Sequence, residues 1–381
     1  MGRTIRNCRT NARSHLVKEN SRGRQHQLTE IYRVDNLPVF QNRMFLEAEE
    51  ARNCVKGDVI LVQDQATGLI FYRAFDPDLM QYDLNYQNEQ AVSGVFRDHL
   101  RNVSEVIERH FTGHSLIEVG CGKGHFLEQL QSAGFSITGL DPTYEGSNPA
   151  VIKENFRPDV GLRADGIILR HVLEHVQDPI GFLETVSEAN GRKGKIYIEV
   201  PCLDWICKHR AWFDIFYEHV NYFRVADFRR MFGIVHDIGH VFGGQYIYVV
   251  ADLSTIRLPV QKGDEFEFPR DFLRTFERQA KRLQNKGPSN YAIWGGASKG
   301  VIFALLMRRA GVDIQYVIDI NPAKHGKYLP STGLLVHSPK HAVELLSRDA
   351  DIFVMNANYL LEIAGSTNNQ FNYITVDNEP I

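Results

Sequence analysis

The stretch SLIEVGCGKGHFLEQL, residues 115–130, decides how the chain is read. An apolar run is followed by three glycines, Gly120, Gly122 and Gly124. Then comes HFLEQLQSAG, with apolar residues at helical spacing and Gly134 as its stop. A glycine turn between a strand and a helix lets backbone approach a ligand and aims helix N–H groups at it. The spacing G-C-G-K-G is not the dinucleotide fingerprint G-x-G-x-x-G, which argues against an NAD(P)-dependent oxidoreductase. A second turn, YAIWGGASKG at 291–300, repeats the arrangement and also lacks that fingerprint.

Outward from the first turn, strands and helices alternate. SITGLD, DGIILR, KIYIEVP and the late GGQYIYVVAD read as strands, with IGFLETVSEA helical between two of them. Such alternation predicts α/β architecture, a parallel sheet with helices on both faces. FPRDFLRTFERQAKRLQNKG, 268–287, predicts a linker helix ended by Gly287 and Pro288. From 290 the alternation restarts through NYAIWG, VIFALLMRRAG, IQYVIDI, LLVHS, ADIFVMN and NYITVD. Upstream, VILVQ and LIFYR around DQATG predict a hairpin with Gly68 in its turn. The segment 86–111 predicts a helix, because Val92, Val95, Phe96, Leu100, Val103, Val106, Ile107 and Phe111 share one stripe. The expected organisation is a basic tail over 1–26 and a small β-rich domain over 27–85. An α/β core over 86–267, a linker helix over 268–289 and a smaller α/β domain over 290–381 follow.

Composition narrows the class. The 381 residues carry a net charge of −3, so no global field favours nucleic acid. Arg3, Arg6, Arg9, Arg13, Lys18, Arg22 and Arg24 read as a frayed tail, the sharper alternative being an arm for a phosphate-bearing ligand or a partner. Five scattered cysteines form no disulfide framework. The first thirty residues lack an apolar segment, and no run of about eighteen apolar residues occurs. A cytoplasmic protein without membrane spans is expected.

Glu118 lies two residues before the first glycine, and Asp141 ends the next strand, where a carboxylate can accept both hydroxyls of a ribose. EVGCGKG followed by GLD resembles the class I S-adenosylmethionine (SAM) methyltransferases. The resemblance implies a Rossmann-like core holding SAM through Glu118, Gly120, Gly122, Gly124, Asp141 and Pro142. RADGIILRHVLEHVQDP, 163–179, carries a strand to its C-terminal end at Arg170, where open α/β sheets bind ligands. His171 and His175 are i and i+4 on what reads as a starting helix, so they share a face. With Glu174 they spell H-x-x-E-H, a zinc pattern, but no third ligand is evident. In the resemblance Arg170 and His171 line the cofactor pocket instead. FDIFYEHVNYF, 213–223, places Glu218 and His219 beside tyrosines; a near-neutral histidine can remove a proton and an adjacent acid can tune it.

Taken in order, YQNEQAVSGVFRDHL (86–100), EVGCGKG, RHVLEHVQDP, IEVP (198–201), FYEHVNYF (216–223), WGGASKG (294–300) and VIDINPAKHGKYLP (317–330) resemble the sugar C-methyltransferases that act on nucleotide-linked keto-deoxysugars. The resemblance implies a small zinc-bearing N-terminal domain, a SAM-binding core and a C-terminal Rossmann-like domain. It implies that His219 removes the proton beside a ketone, with His175 near the keto oxygen and Glu218 and Tyr217 in the same set. It places Tyr86, Asn88, Glu89, Gln90 and Tyr222 at a small-molecule acceptor, a nucleotide-linked sugar, in a monomer or homodimer. Two departures matter. Asp64 and Thr67 stand where the family has zinc cysteines, and only Cys8 and Cys54 remain nearby, so no structural zinc is expected. Apolar packing through Phe40, Phe45, Leu61, Leu69 and Phe71 is expected to replace it. Where the family has Tyr-His-Glu-His, this chain has Phe216-Tyr217-Glu218-His219, so one tyrosine hydroxyl is missing unless Tyr217 supplies it. O- or N-methylation of a related small molecule, and a non-catalytic binding or scaffold role, stand as alternatives. The second glycine turn is expected to support the fold, the alternative being contact of Ser298, Lys299, His325 and Lys327 with acceptor phosphates.

Overall fold

A computed structural model describes residues 15–17, 26–80, 86–87, 89–111, 113, 115–261, 266–286 and 291–377. The N-terminal unit is an antiparallel sheet of β1 (His15–Val17), β2 (His26–Pro38), β3 (Lys56–Asp64) and β4 (Ile70–Tyr72), with the short helix α1 (Ala48–Arg52) beside it. The predicted hairpin is β3–β4. Part of the expected tail is strand instead, since His15–Val17 pairs with His26–Leu28. The seven basic residues named there lie outside the described residues. Of the expected packing residues, Phe40, Phe45 and Leu61 are buried, whereas Leu69 and Phe71 are partly exposed.

The central unit starts at α2 (Gly94–His110). That helix begins later than its apolar stripe suggests, because Ser93 caps it, its Oγ accepting from Phe96 N at 3.3 Å. The residues just before it are left free to line the site. Then follow β5 (Ser115–Val119), α3 (His125–Ser132), β6 (Ser136–Leu140), β7 (Val151–Ile152), β8 (Gly166–Arg170), α4 (Pro179–Ala189) and β9 (Lys195–Pro201). After α5 (Leu203–His209) come β10 (Asn221–Tyr222), α6 (Val225–Met231), β11 (Val235–Val241) and β12 (Tyr246–Asp252). The sheet order is β11-β12-β9-β8-β5-β6-β7, with β12 antiparallel to both neighbours and the rest parallel. This is a Rossmann-like α/β core with an antiparallel strand near one edge. The strand order reverses between β5 and β8, so a crevice opens at their C-terminal ends.

The linker helix α7 is shorter than predicted, Arg274–Lys286, because Phe268 and Phe272 leave the helical path and pack on Tyr32 at 5.6 and 5.2 Å. Gly287 and Pro288 lie outside the described residues. The C-terminal unit holds β13 (Tyr291–Trp294), α8 (Ser298–Arg309), β14 (Tyr316–Ile318), β15 (Val336–His337), α9 (Pro339–Leu345), β16 (Asp351–Val354), α10 (Leu360–Ser366) and β17 (Asn372–Thr375). Its sheet is all parallel, ordered β15-β14-β13-β16-β17, with a reversal at β13.

The three units share one packed interior. Strand β10 of the central unit pairs antiparallel with β4 of the first sheet, Asn221 opposite Phe71 and Tyr222 opposite Ile70. Trp212, fully buried, stacks on Phe303 of α8 at 5.4 Å. Lys299 reaches from α8 to Asp214 Oδ2 at 3.0 Å and to Gln245 Oε1 at 2.9 Å.

Candidate active site

Two adjoining cavities open at the strand ends. The first, of about 710 Å³, lies over the glycine turn and is lined by Glu118, Gly120, Gly122, Asp141, Pro142, Arg170 and His171, all expected there. Gly124 is not among its lining residues; it takes φ +82° as the residue before α3. Asp141 follows β6 directly and holds the turn, Oδ2 accepting from Gly122 N at 2.8 Å. Its Oδ1 accepts from Thr143 N at 2.8 Å and Thr143 Oγ1 at 2.7 Å. A carboxylate offers about four acceptor positions. The turn therefore leaves Asp141 room for about one further hydroxyl rather than the two that the sequence suggested.

The residues fit SAM. Gly122 has φ +55°, and a Cβ there would meet nothing within 4 Å, so bare backbone faces the cavity. Glu118 is 2% exposed, and its Oε2 has no hydrogen-bond partner among the described residues. Burial, reinforced by Asp141 and Glu199 and opposed by Arg170, pushes the Glu118 pKa up to about 7. An unpartnered buried acid beside an open glycine turn suits a cationic nucleoside ligand.

The second cavity, about 330 Å³, lies between the central and C-terminal units. His171, Glu174, His175, Glu218, His219 and Tyr86 line it, opposite Trp294, Ser298 and Met355. Tyr86, Glu89, Gln90, His171 and His175 border both cavities, so the two connect along one wall. Local pairing fixes the 216–223 segment. Tyr72 N donates to Val220 O at 2.7 Å, and Val220 N donates to Glu174 O at 2.7 Å. Sandwiched between β4 and the 173–176 turn, His219 faces the cavity with its ring 4.1 Å from Phe216 and 5.0 Å from His175. Burial, with the neighbouring His175, His171 and Lys299, holds its pKa well below the usual histidine range. It is neutral at pH 7, with a lone pair available.

His171 and His175 do not share a helical face. His171 sits at φ +53° and only a single tight turn, Leu173–His175, follows. The two rings diverge. His171 contacts Glu174 Oε1 at 3.3 Å and Glu199 Oε1 at 3.2 Å. Burial alone would lower its pKa, but those two carboxylates outweigh it and push it up to about 9. His175 Nδ1 donates to the Glu218 carbonyl at 2.8 Å, which leaves Nε2 bare. Glu218 accepts from Gln41 N at 2.6 Å and from Tyr86 Oη at 2.7 Å, so the N-terminal unit holds the acid next to His219.

Two expected site residues are elsewhere. Tyr217 points into the N-terminal unit, its Oη accepting from Asp76 N at 3.1 Å and its ring 5.1 Å from Tyr72. It does not replace the missing hydroxyl; Phe216 takes that place in the cavity wall. Tyr222 is 2% exposed and bonds to the Phe216 backbone, so it is core. Tyr217 lies in the turn before β10, and Tyr222 lies in β10 opposite Ile70. Asn88 lies outside the described residues.

Glu199 is the main residue that sequence reasoning missed. It is 0% exposed, bound by His99 Nε2 at 2.8 Å, Tyr197 Oη at 2.8 Å and Arg170 Nε at 3.4 Å. Burial opposes its charge, but Arg170, His171 and His99 hold its pKa well below the carboxylate range. The available signal was a lone acid inside the apolar strand KIYIEVP. Tyr246, 4.5 Å from His171, had no such signal.

Residues 90–233 match a family model described as a methyltransferase domain. The chain is 24% identical over 310 residues to the C-methyltransferase NovU of Streptomyces niveus, covering 70% of this chain and 73% of that one. It is 31% identical over 91 residues to a ubiquinone biosynthesis O-methyltransferase of Methylobacterium sp. strain 4-46, covering 20% of this chain and 36% of that one. Among solved structures, the Burkholderia thailandensis 1,6-didemethyltoxoflavin-N1-methyltransferase, with its substrate and S-adenosylhomocysteine bound, is 16% identical with a TM-score of 0.32, over 42% of this chain and 80% of that one. The chain carries a methyltransferase domain and uses SAM as its cofactor.

Proposed function

We propose that this SAM-dependent methyltransferase methylates carbon, on the atom beside the ketone of a nucleotide-linked sugar, with His219 as the base. One observation carries the reading. A neutral histidine, its ring free of hydrogen bonds to described residues, faces a cavity that adjoins the donor cavity. The C-methyltransferase relative supports the same reading over most of both chains.

Bound SAM supplies an electrophilic methyl group. Glu118, the turn at Gly120 and Gly122, and Asp141 would hold it, the sulfur–methyl bond being the one that breaks and S-adenosylhomocysteine the neutral group that leaves. His219 takes the proton from the carbon next to the acceptor ketone, and that carbon then carries the electron pair that forms the new bond. Glu218 keeps His219 in place through its shared backbone and its bonds to Gln41 and Tyr86. His171, cationic between two acids, places positive charge beside both cavities where the acceptor oxygen gains negative charge. His175, oriented by its Nδ1 contact with the Glu218 carbonyl, lies beside His219 in the same cavity wall.

The test is proton exchange followed by product analysis. Nucleotide-linked ketosugars incubated in D₂O with S-adenosylhomocysteine exchange the proton beside the ketone, and His219→Asn abolishes exchange while keeping S-adenosylhomocysteine affinity. With SAM, the product carries a carbon–methyl resonance. A methyl group on oxygen or nitrogen, or exchange unaffected in the variant, sinks the assignment.

A further inference from the structure

We propose that Glu174, His175 and His219 form a binding site for a divalent transition-metal ion of the zinc or cobalt type, and that the ion shuts the enzyme off. The inhibitory consequence rests on His219 as base; the site itself does not.

The sequence pattern H-x-x-E-H offered His171, Glu174 and His175 but no third element. The fold withdraws His171, which turns to Glu199, and supplies His219 from the segment held against β4. One ligand atom each from Glu174, His175 and His219 then lies within 4.8 Å of the other two. Tetrahedral zinc with bonds of about 2.0–2.2 Å holds its ligand atoms roughly 3.3–3.6 Å apart, so the widest pair must draw in by up to about 1.5 Å, within reach of side-chain rotation.

Each donor is in the state that coordination needs. Glu174 is 1% exposed, and its Oε2 has no partner among the described residues. Its Oε1 faces His171 Nδ1 at 3.3 Å. His175 donates from Nδ1 to a backbone carbonyl, the outer contact by which metal-ligating histidines are oriented, and this directs the bare Nε2 at the site. The His219 ring makes no hydrogen bond to a described residue. Two imidazoles and one carboxylate form a borderline donor set that favours zinc, cobalt, nickel or iron(II) over magnesium or calcium. The site lies in the wall of the acceptor cavity, so an ion is reachable from solvent and leaves a coordination position toward the acceptor. Binding takes the lone pair of His219, and a coordinated imidazole removes no proton.

The experiment uses the full chain stripped of metal by dialysis against a chelator. Co²⁺ is titrated by visible absorption and Zn²⁺ by calorimetry, for the wild type and for Glu174→Gln, His175→Asn and His219→Asn. His341→Asn, on the surface beside His337, serves as a control. Retained S-adenosylhomocysteine binding by Glu174→Gln and His219→Asn shows that they are folded. One Co²⁺ per chain is expected, lost in each of the three variants and kept in the control. Methyl transfer is expected to persist in EDTA and to fall to background with one equivalent of Zn²⁺ above the dissociation constant. No binding by the wild type, or equal binding by the three variants, overturns the site. Activity that needs metal and dies in EDTA keeps the site but overturns both the inhibition and the role of His219 as base. Methylation on oxygen with Zn²⁺ still bound leaves the site standing and removes only the proposed function.

Discussion

Lys324 Nζ lies 3.0 Å from Asp319 Oδ2, with the two side chains 4% and 9% exposed. This pair distinguishes two otherwise similar glycine turns. In the first, Gly120 N donates to Leu140 O and Gly122 N to Asp141 Oδ2, both at 2.8 Å. In the second, Gly295 N donates to Ile318 O and Gly296 N to Asp319 Oδ2, again both at 2.8 Å. The frameworks match, but in the C-terminal unit a lysine of the same chain occupies the acid.

Only the first turn is therefore expected to hold SAM. Calorimetry should give one S-adenosylhomocysteine per chain, lost in Asp141→Ala and kept in Asp319→Asn. The latter strands a buried ammonium and should cost about 3–5 kcal/mol in urea unfolding. Two bound molecules per chain would contradict the parallel.

The β3–β4 hairpin of the N-terminal unit closes on buried polar side chains. Asp64 and Thr67 are 4% and 5% exposed, and Thr67 Oγ1 donates to Asp64 Oδ2 at 2.9 Å. Asp64 Oδ1 also accepts from Ala66 N at 2.9 Å, and Gly68 N closes on Asp64 O at 2.7 Å. Thr67→Val removes one buried bond to a charged group and should lower stability by about 1.5–3 kcal/mol. No change in the urea midpoint would mean that the turn is held by other contacts.

Much of this was legible before any coordinates. The 115–130 stretch predicted β5, the glycine turn and α3, because strand, glycines and helix are local signals. Long-range features were not legible. The 13-residue strand β2 has no clean alternation. Strand β10 is two residues long and exists only because β4 lies beside it. That pairing, with the bonds of Val220 to Tyr72 and Glu174, anchors the turn that carries Phe216, Tyr217 and His219, so the roles of Tyr217 and Tyr222 could not be assigned from spacing. Glu199 escaped notice because its partners, His99, Arg170 and His171, come from two other elements.

Glu118 gives donor binding a pH dependence. Its folded pKa of about 7 lies above the ordinary carboxyl value, with Arg170, Asp141 and Glu199 as its charged neighbours. The folded state thus takes up this proton more readily than the unfolded chain. The stability it contributes is present below the ordinary carboxyl range and is lost as pH rises through about 7. A cationic ligand reverses the preference, so SAM affinity should rise as pH goes from 6 to 8. Glu118→Gln should flatten that rise, and the apo variant should gain stability over the wild type at pH 8. A wild-type affinity independent of pH across this range would count against an unpartnered Glu118 at the donor site.

Tyr86 links the acceptor cavity to the acid that positions the base. Its Oη donates to Glu218 Oε2 at 2.7 Å, while Gln41 N holds Oε1 at 2.6 Å. Burial raises the Glu218 pKa, and the Tyr86 hydroxyl is the foremost contact opposing that rise. Tyr86→Phe keeps the ring against Phe40, 6.1 Å away, but removes the hydroxyl. Glu218 then loses a fixed direction, and the His219 backbone beside it loosens. Methyl transfer should fall roughly tenfold to hundredfold in kcat with little change in the KM for SAM. Proton exchange into the acceptor should fall by the same factor, because both depend on His219. A KM effect with kcat intact would instead make Tyr86 a binding residue, with Glu218 positioned by the Gln41 and Asn42 backbone.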